Sequence, residues 1–405
     1  MPRPRWMTAE VVLICACAIL MISVGTRQAF GLFLPSISGE LHIGRGEFGF
    51  AIALQNLLWG LLQPFTGMFA DKHGAGRVLV AGAILYASGL VLMALSTSPA
   101  MLDWSAGVMI GLALSACSFG VVMGVVGRAF EARRRSWALG VAGAGGSFGQ
   151  FAMLPFGQAL ILAAGWKGAL FILAGAAMAI IILAAALAGK PSAPPTIAAR
   201  NVRSALTGVM SDKAFWYLTA SFAVCGFQTV FLMIHLPVFI LDHGLPASVG
   251  VTALAIVGLC NTVGSYCCGM LGSRFRKKHV LAAIYLLRAL AIGAYVLLPV
   301  TPASTYALAT VVGMTWLGTV PLTNALVADM YGVRFLSTLF GVAFLGHQIG
   351  SFFGAWYGGY VFDVTGSYGI VWVLCIVTSV IAAILCWPID DRERTATGTA
   401  STASA

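Results

Sequence analysis

The chain has 405 residues, of which 60% are hydrophobic and only 9% charged, and its formal net charge is +10. A soluble domain carries about 25% charged residues, so a water-soluble enzyme or binding module is excluded. The basic surplus does not mark a nucleic-acid binder either, because nearly all Lys and Arg fall in alternate short loops between long apolar runs.

Apolar runs of about 20 residues cross a bilayer as helices whose backbone bonds are satisfied internally. Twelve are expected, at 11–34, 48–70, 78–95, 104–126, 138–164 and 169–187 in one half, and at 215–240, 249–271, 280–298, 306–327, 339–361 and 369–387 in the other. The fold class is therefore all-α: a six-helix bundle over 1–189, a linker over 190–213, a second bundle over 214–389 and a polar, disordered tail over 390–405. Arg128, Arg134, Arg274, Arg276, Lys277 and their like lie on one side, whereas the opposite loops hold only Arg45 and Lys167. The positive-inside rule then makes both termini cytoplasmic.

The basic start followed by an apolar run is like a signal peptide, but the run is too long and has no convincing cleavage site, so it is the first span. It carries Gly25-Thr-Arg27-Gln28-Ala-Phe30-Gly31. Arg27 lies roughly 24 Å into that span at 1.5 Å per residue, slightly beyond its middle. No acid on the same helix neutralises it. Ionisable groups at that depth are functional by default, and an unpaired guanidinium in a cavity is a bidentate carboxylate site. The bland alternative is a structural, interhelical Arg. Gln28 follows it, and Gln55, Asn56 and Trp59 on the second span are candidates for the same cavity.

The loop after the second span reads Gly67-Met-Phe-Ala-Asp71-Lys-His-Gly74-Ala-Gly76-Arg77. Gly67 permits close helix approach, and Gly74 and Gly76 permit a tight turn. Asp71 can accept from backbone N–H groups at a helix N-terminus, and Arg77 can pair with a carboxylate. This G-x-x-x-D-x-x-G-x-[RK] run resembles the loop between helices 2 and 3 of the major facilitator superfamily of transporters. A degenerate copy, Gly269-Met-Leu-Gly272-Ser-Arg274-Phe-Arg276-Lys277-Lys278, lacks the Asp and marks the second half as a repeat of the first.

The resemblance narrows past the fourth span. Arg128-Ala-Phe130-Glu-Ala-Arg133-Arg134-Arg135 leads into Ala138-Leu-Gly140, and Gly165-Trp166-Lys167-Gly168 follows. The run is similar to the monocarboxylate transporters and their bacterial relatives of the oxalate:formate antiporter type. That resemblance implies a small organic anion as substrate, held between the halves near the midplane. Some of those transporters place a cation at about the position of Arg27. It puts a substrate-binding Lys where this chain has His347, on the eleventh span. It puts a carboxylate-binding Arg where this chain has Ser265, on the eighth, which places the family's usual anion site in doubt and shifts the task to Arg27 and His347. His347 can also carry a proton near neutral pH, and Gln348 adjoins it.

Asn261 on the eighth span, Phe119 on the fourth and Gln228 on the seventh complete the candidate cavity. Arg288 on the ninth span is read as structural, packing against the eighth or tenth. Asp329, at the end of the tenth, is read as a gate residue paired with a cytoplasmic Arg, alongside Asp71 and Arg77. No carboxylate lies at mid-span, so coupled protons are carried by a His or by the substrate. The nine cysteines all fall within spans, without metal spacing, and read as small packing residues.

The expectation is a monomeric bacterial inner-membrane transporter for a monocarboxylate, working by alternating access. Protons are possible co-substrates, the lipid bilayer is its surroundings, and no cofactor, metal or nucleic acid takes part. A transporter exporting larger amphipathic or aromatic compounds is the alternative within transport. A non-transporting membrane sensor is the alternative from another class. A membrane enzyme would need a base with a nucleophile or a metal cluster, and the chain offers neither.

Overall fold

The computed structural model describes residues 8–188, 208–331 and 336–391, which are helical with no strand among them. Most of the expected linker and all of the tail beyond 391 lie outside the described residues. Helix α1 (Ala9–Gln28) begins at Thr8, whose hydroxyl accepts from the Val11 N–H, and passes through a 3-10 turn (Ala29–Leu32) into α2 (Leu34–Leu41). The second span is α3 (Arg45–His73), and Gly74, at φ 96°, turns the chain into α4 (Ala75–Ala94). The fourth span is assembled from α5 (Pro99–Leu102), a π-helical stretch (Asp103–Met109), α6 (Ile110–Cys117) and α7 (Phe119–Ala129).

The long α8 (Ala132–Ala184) is interrupted at Gly165, with φ 69° and ψ 170°, a conformation that glycine adopts without a Cβ penalty. It therefore supplies the fifth and sixth spans. The second half comprises α9 (Lys213–Asp242), α10 (Ala247–Arg274), α11 (Lys277–Leu297), the pair α12 (Pro302–Thr315) and α13 (Thr319–Tyr331), α14 (Leu336–Thr365) and α15 (Gly369–Cys386). Ten described segments are long and apolar enough to cross a membrane. The one that folds back at Gly165 provides two crossings, and the 30-residue α14 completes the twelve-span, all-α architecture.

Each half breaks its fourth span, and each break is stapled by side chains from neighbouring helices. Between α6 and α7 the backbone is extended at Ser118, with φ −103° and ψ −164°. Ser23 Oγ donates to the Cys117 carbonyl at 2.9 Å and Thr66 Oγ1 to the Ser115 carbonyl at 2.8 Å, while the Trp59 indole N–H donates to Ser118 Oγ at 2.8 Å and Ser118 Oγ to Gln63 Oε1 at 3.3 Å. Between α12 and α13, Asn261 Oδ1 accepts from the Leu317 N–H at 3.0 Å, while Arg288 donates to the Thr315 and Trp316 carbonyls. Freed backbone groups in an apolar medium need such partners, because each unsatisfied one costs several kcal/mol.

The halves meet along two antiparallel helix pairs, α3 with α14 and α8 with α10. Towards one end the contact is tight. A Cβ on Gly49 would overlap the Ala355 carbonyl, one on Gly60 would strike Gln348, and one on Gly258 would meet Phe151 at 2.9 Å. Seven residues further along α3 and seven back along α14, the same register sets Gly67 opposite Gly341. Eleven residues back along α8 from Phe151 and eleven on along α10 from Gly258, it sets Gly140 opposite Gly269. None of these four glycines has any atom within 4 Å of its would-be Cβ. The helix pairs thus splay apart, and the bundle is closed at one end and open at the other, where the basic loops lie.

Candidate functional site

The guanidinium of Arg27 sits at the last turn of α1, only 7% exposed, where the halves meet. Asn56 on α3 spends its amide N–H on the Ile52 carbonyl at 2.7 Å, which turns its Oδ1 towards Arg27 Nη2, and the two are hydrogen-bonded. Nη1 points across the interface to the sulfur of Met233 on α9 at 3.8 Å. The charge rests over the Trp59 ring at 5.0 Å, and that ring is locked by its bond to Ser118. Nε has no partner, and among the described residues no carboxylate pairs with Arg27. The cation is thus held by neutral and soft acceptors, an arrangement that an incoming carboxylate improves.

A second chain of hydrogen bonds reaches the same point from the other half. Gln348 Nε2 donates to the main-chain carbonyl of Asn56 at 3.1 Å. Its Oε1 therefore faces His347 Nδ1, also at 3.1 Å, and that nitrogen carries the hydrogen. Nε2 has no partner although His347 is only 8% exposed. The ring is pinned between Phe222, at 4.7 Å, and Phe344, at 5.8 Å and nearly parallel. Phe344 in turn packs edge-on against Trp59 at 5.9 Å. Arg27, Asn56, Trp59, Gln348 and His347 form one constellation across both halves. Gln28 adjoins it, with its side-chain nitrogen buried and unpartnered. Phe119, at the start of α7, is half-buried against Gly146.

Other expected site residues are occupied elsewhere. Gln228 faces α15, donating to the Cys375 carbonyl at 2.8 Å and to Ser379, so it joins helices within one half rather than lining the cavity. Asn261 caps the break in the tenth span and also donates to Ser147 Oγ of the other half at 3.5 Å, and Ser265 donates to its Oδ1 at 3.2 Å. Among the described residues, Asp329 pairs with Lys277 of its own half at 2.6 Å, a lysine rather than the expected Arg. Arg77 is exposed, and the Asp71 side chain lies outside the described residues.

Bonds that join the two halves lie at the opposite, closed end, a cluster that the sequence reading did not single out. Arg45 grips Asp242 with two bonds of 2.6 and 2.7 Å. Asp363 of α14 accepts from the Arg45 and Gly46 N–H groups at 2.9 and 2.7 Å, so an acid of one half caps the N-terminus of a helix in the other. Tyr368 receives a bond from Arg45 at 3.3 Å and lies 3.1 Å from His235 Nδ1. The only signal in the sequence was charge at span ends. Beside this cluster, Lys167 and the Trp166 indole both donate to Glu40 and hold its carboxyl below the usual carboxylate range.

Comparison with known proteins gives the same architecture. A family model described as Major Facilitator Superfamily matches residues 16–355 and, again, 253–404. An uncharacterised MFS-type transporter of Bacillus subtilis, YcxA, is 23% identical, with 97% of each chain covered. Monocarboxylate transporter 12 of Rattus norvegicus is 25% identical over 80% of this chain and 74% of its own, and monocarboxylate transporter 11 of Mus musculus is 24% identical over 90% and 83%. A solved bacterial homologue of the human lysosomal transporter Spinster, in an inward-facing and occupied conformation, superposes with a TM-score of 0.74 at 15% identity, covering 93% of this chain and 96% of that one.

Proposed function

The chain belongs to the Major Facilitator Superfamily, and from that premise we propose that it carries a small organic anion, a monocarboxylate, by alternating access. The observation that carries this reading is Arg27: a buried guanidinium at the interface, with one N–H unpartnered, another on a thioether, and no carboxylate among the described residues paired with it. A carboxylate entering the cavity loses most of its hydration, and Arg27 replaces it with charge-assisted bonds. To do so it displaces the weak Met233 contact, which belongs to the other half. Binding therefore alters a cross-half contact and is linked to rocking. The low-identity likeness to monocarboxylate transporters supports the same substrate class.

The basic loops at the open end favour a cytoplasmic assignment for that end and for both termini. On this reading the protein sits in a bacterial inner membrane, open inward, with the latch of Arg45, Asp242 and Asp363 closing the outer side. Transport requires that latch to break and the glycine-lined end to close.

The test is ligand-induced thermal stabilisation of the purified protein by a panel of carboxylates against their neutral amides, followed by counterflow in proteoliposomes. Truncating one partner of a buried charge pair costs about 2–5 kcal/mol, or roughly 30- to several-thousand-fold in affinity. Arg27→Ala should abolish the carboxylate response while leaving the unliganded melting temperature near that of the wild type. Arg27→Lys should retain part of it, since it keeps the charge and loses the fork. A wild-type carboxylate response in Arg27→Ala refutes the assignment.

A further inference from the structure

His235 lies in α9, fully buried, about two turns before Asp242, and both of its ring nitrogens are hydrogen-bonded. Nε2 is 2.8 Å from the Ala355 carbonyl, which can only accept, so Nε2 carries a hydrogen. Nδ1 is 3.1 Å from the Tyr368 hydroxyl. That hydroxyl accepts from Arg45 at 3.3 Å, which leaves its own hydrogen for Nδ1. With a neutral imidazole every donor in this chain of bonds meets an acceptor: Arg45 donates to Tyr368, Tyr368 to Nδ1, and Nε2 to Ala355.

Both ends of the chain of bonds rest on α3, in the other half. Arg45 opens that helix, and the Ala355 carbonyl lies where a Cβ on Gly49 would overlap it. The ring is also packed on its sides. A Cβ on Gly358 would meet it at 2.8 Å, and the Phe231 and Tyr368 rings lie 5.6 and 5.4 Å away. A proton on Nδ1 spoils the match. Nδ1 then donates to a hydroxyl that already accepts from Arg45, and the Tyr368 hydrogen loses its acceptor. The added charge finds no free acid. Asp242 of α9 accepts both Arg45 bonds, Asp363 of α14 caps α3, and Glu40 of α2 is taken by Lys167 and Trp166. The neighbouring imidazole, His243, turns its Nδ1 to the Phe239 carbonyl. Uncompensated charge is costly in an apolar interior, so the closed arrangement has no place for this proton. Parting the halves carries Arg45 and Gly49 away with α3 and admits water to the ring, and a hydrated imidazole binds a proton at about pH 6.5.

We propose that His235 is a proton-binding site that governs the closed end: neutral while the halves are joined there, it takes a proton on Nδ1 when they part, so that acid favours opening. The proton comes from water and returns to it, and only an N–H bond forms or breaks. By linkage, the ratio of open to closed forms should rise up to about tenfold for each pH unit below about 6.5 and level off above it. On the transport reading this end is the outer one, and an acid exterior would favour presenting the Arg27 site to the substrate. That consequence rests on that reading; the proton site and its effect on the closed end do not.

The test is electron–electron double resonance between spin labels at Thr97 and His243, both exposed, in the full chain in lipid, from about pH 8 to about pH 5. Labelling at His243 removes the neighbouring imidazole, so it does not supply the response. The same series in Asp363→Ala, where the closure is loosened, brings a small open fraction into view. The longer-distance population should grow on acidification. His235→Gln keeps a donor for the Ala355 carbonyl and takes no proton, so its distances should not depend on pH. His235→Asn takes its place if that variant does not fold. Distances unchanged by pH in both backgrounds, or a pH response that survives in His235→Gln, overturn the proposal. If the protein responds to no carboxylate at all, the substrate reading fails and the distances still decide the proton site.

Discussion

Removing the carboxylate of Asp363 should open the closed end without unfolding either bundle. Asp363 belongs to α14, yet it accepts two bonds from the first turn of α3 in the other half, at 2.9 and 2.7 Å. A side-chain cap is worth about 1 kcal/mol, and a negative charge at a helix N-terminus adds about 0.3–1. The neighbouring Arg45–Asp242 pair is partly exposed, at 18% and 31%, so it is discounted to at most about 1 kcal/mol and stays in place in the variant. Asp363→Ala should therefore cost the closed state about 1.3–2 kcal/mol, shifting the equilibrium roughly 10- to 30-fold towards opening. Spin labels at Thr97 and His243, exposed residues near the closed end on opposite halves, report the separation by electron–electron double resonance. The variant should gain a longer-distance population that the wild type lacks. An unchanged distance distribution, with the protein still folded, refutes the latch.

Gly67→Leu and Gly140→Leu fill space that is empty in this conformation, so they should leave folding intact and trap the open end open; cross-linking of cysteines placed across that end checks it. Asn261→Ala removes the acceptor for the Leu317 N–H and should lower stability by about 1–3 kcal/mol, read as a lower melting temperature even without ligand. Asp329→Asn breaks a pair within one half, so the label distances at the closed end should not change. The Glu40 carboxyl is held low by Lys167 and Trp166, so its contribution is present above its ordinary value and is lost as pH falls through the lowered one. Trp166 fluorescence should respond over that acidic window, and Lys167→Met should move the response to higher pH.

The sequence by itself determined the spans, the two halves, the side on which basic loops gather and the cation at Arg27. Each of these follows from the bilayer: its thickness demands apolar runs of a set length, and it makes a buried charge conspicuous. It did not determine which way each polar side chain faces. Gln228, Asn261 and Gln348 look alike along an apolar run, yet one binds α15, one caps a broken helix and one crosses to Asn56. Hydropathy is a quantity along the chain and carries no azimuth between helices that are apolar all round. The tertiary structure alone decided that Asp363 caps a helix 318 positions away, that Cys225 meets Arg288, and that the glycines of four helices face each other across a gap. Those pairings arise only when two bundles pack at one end and splay at the other, because a contact between halves depends on their relative tilt, which no stretch of either half encodes locally.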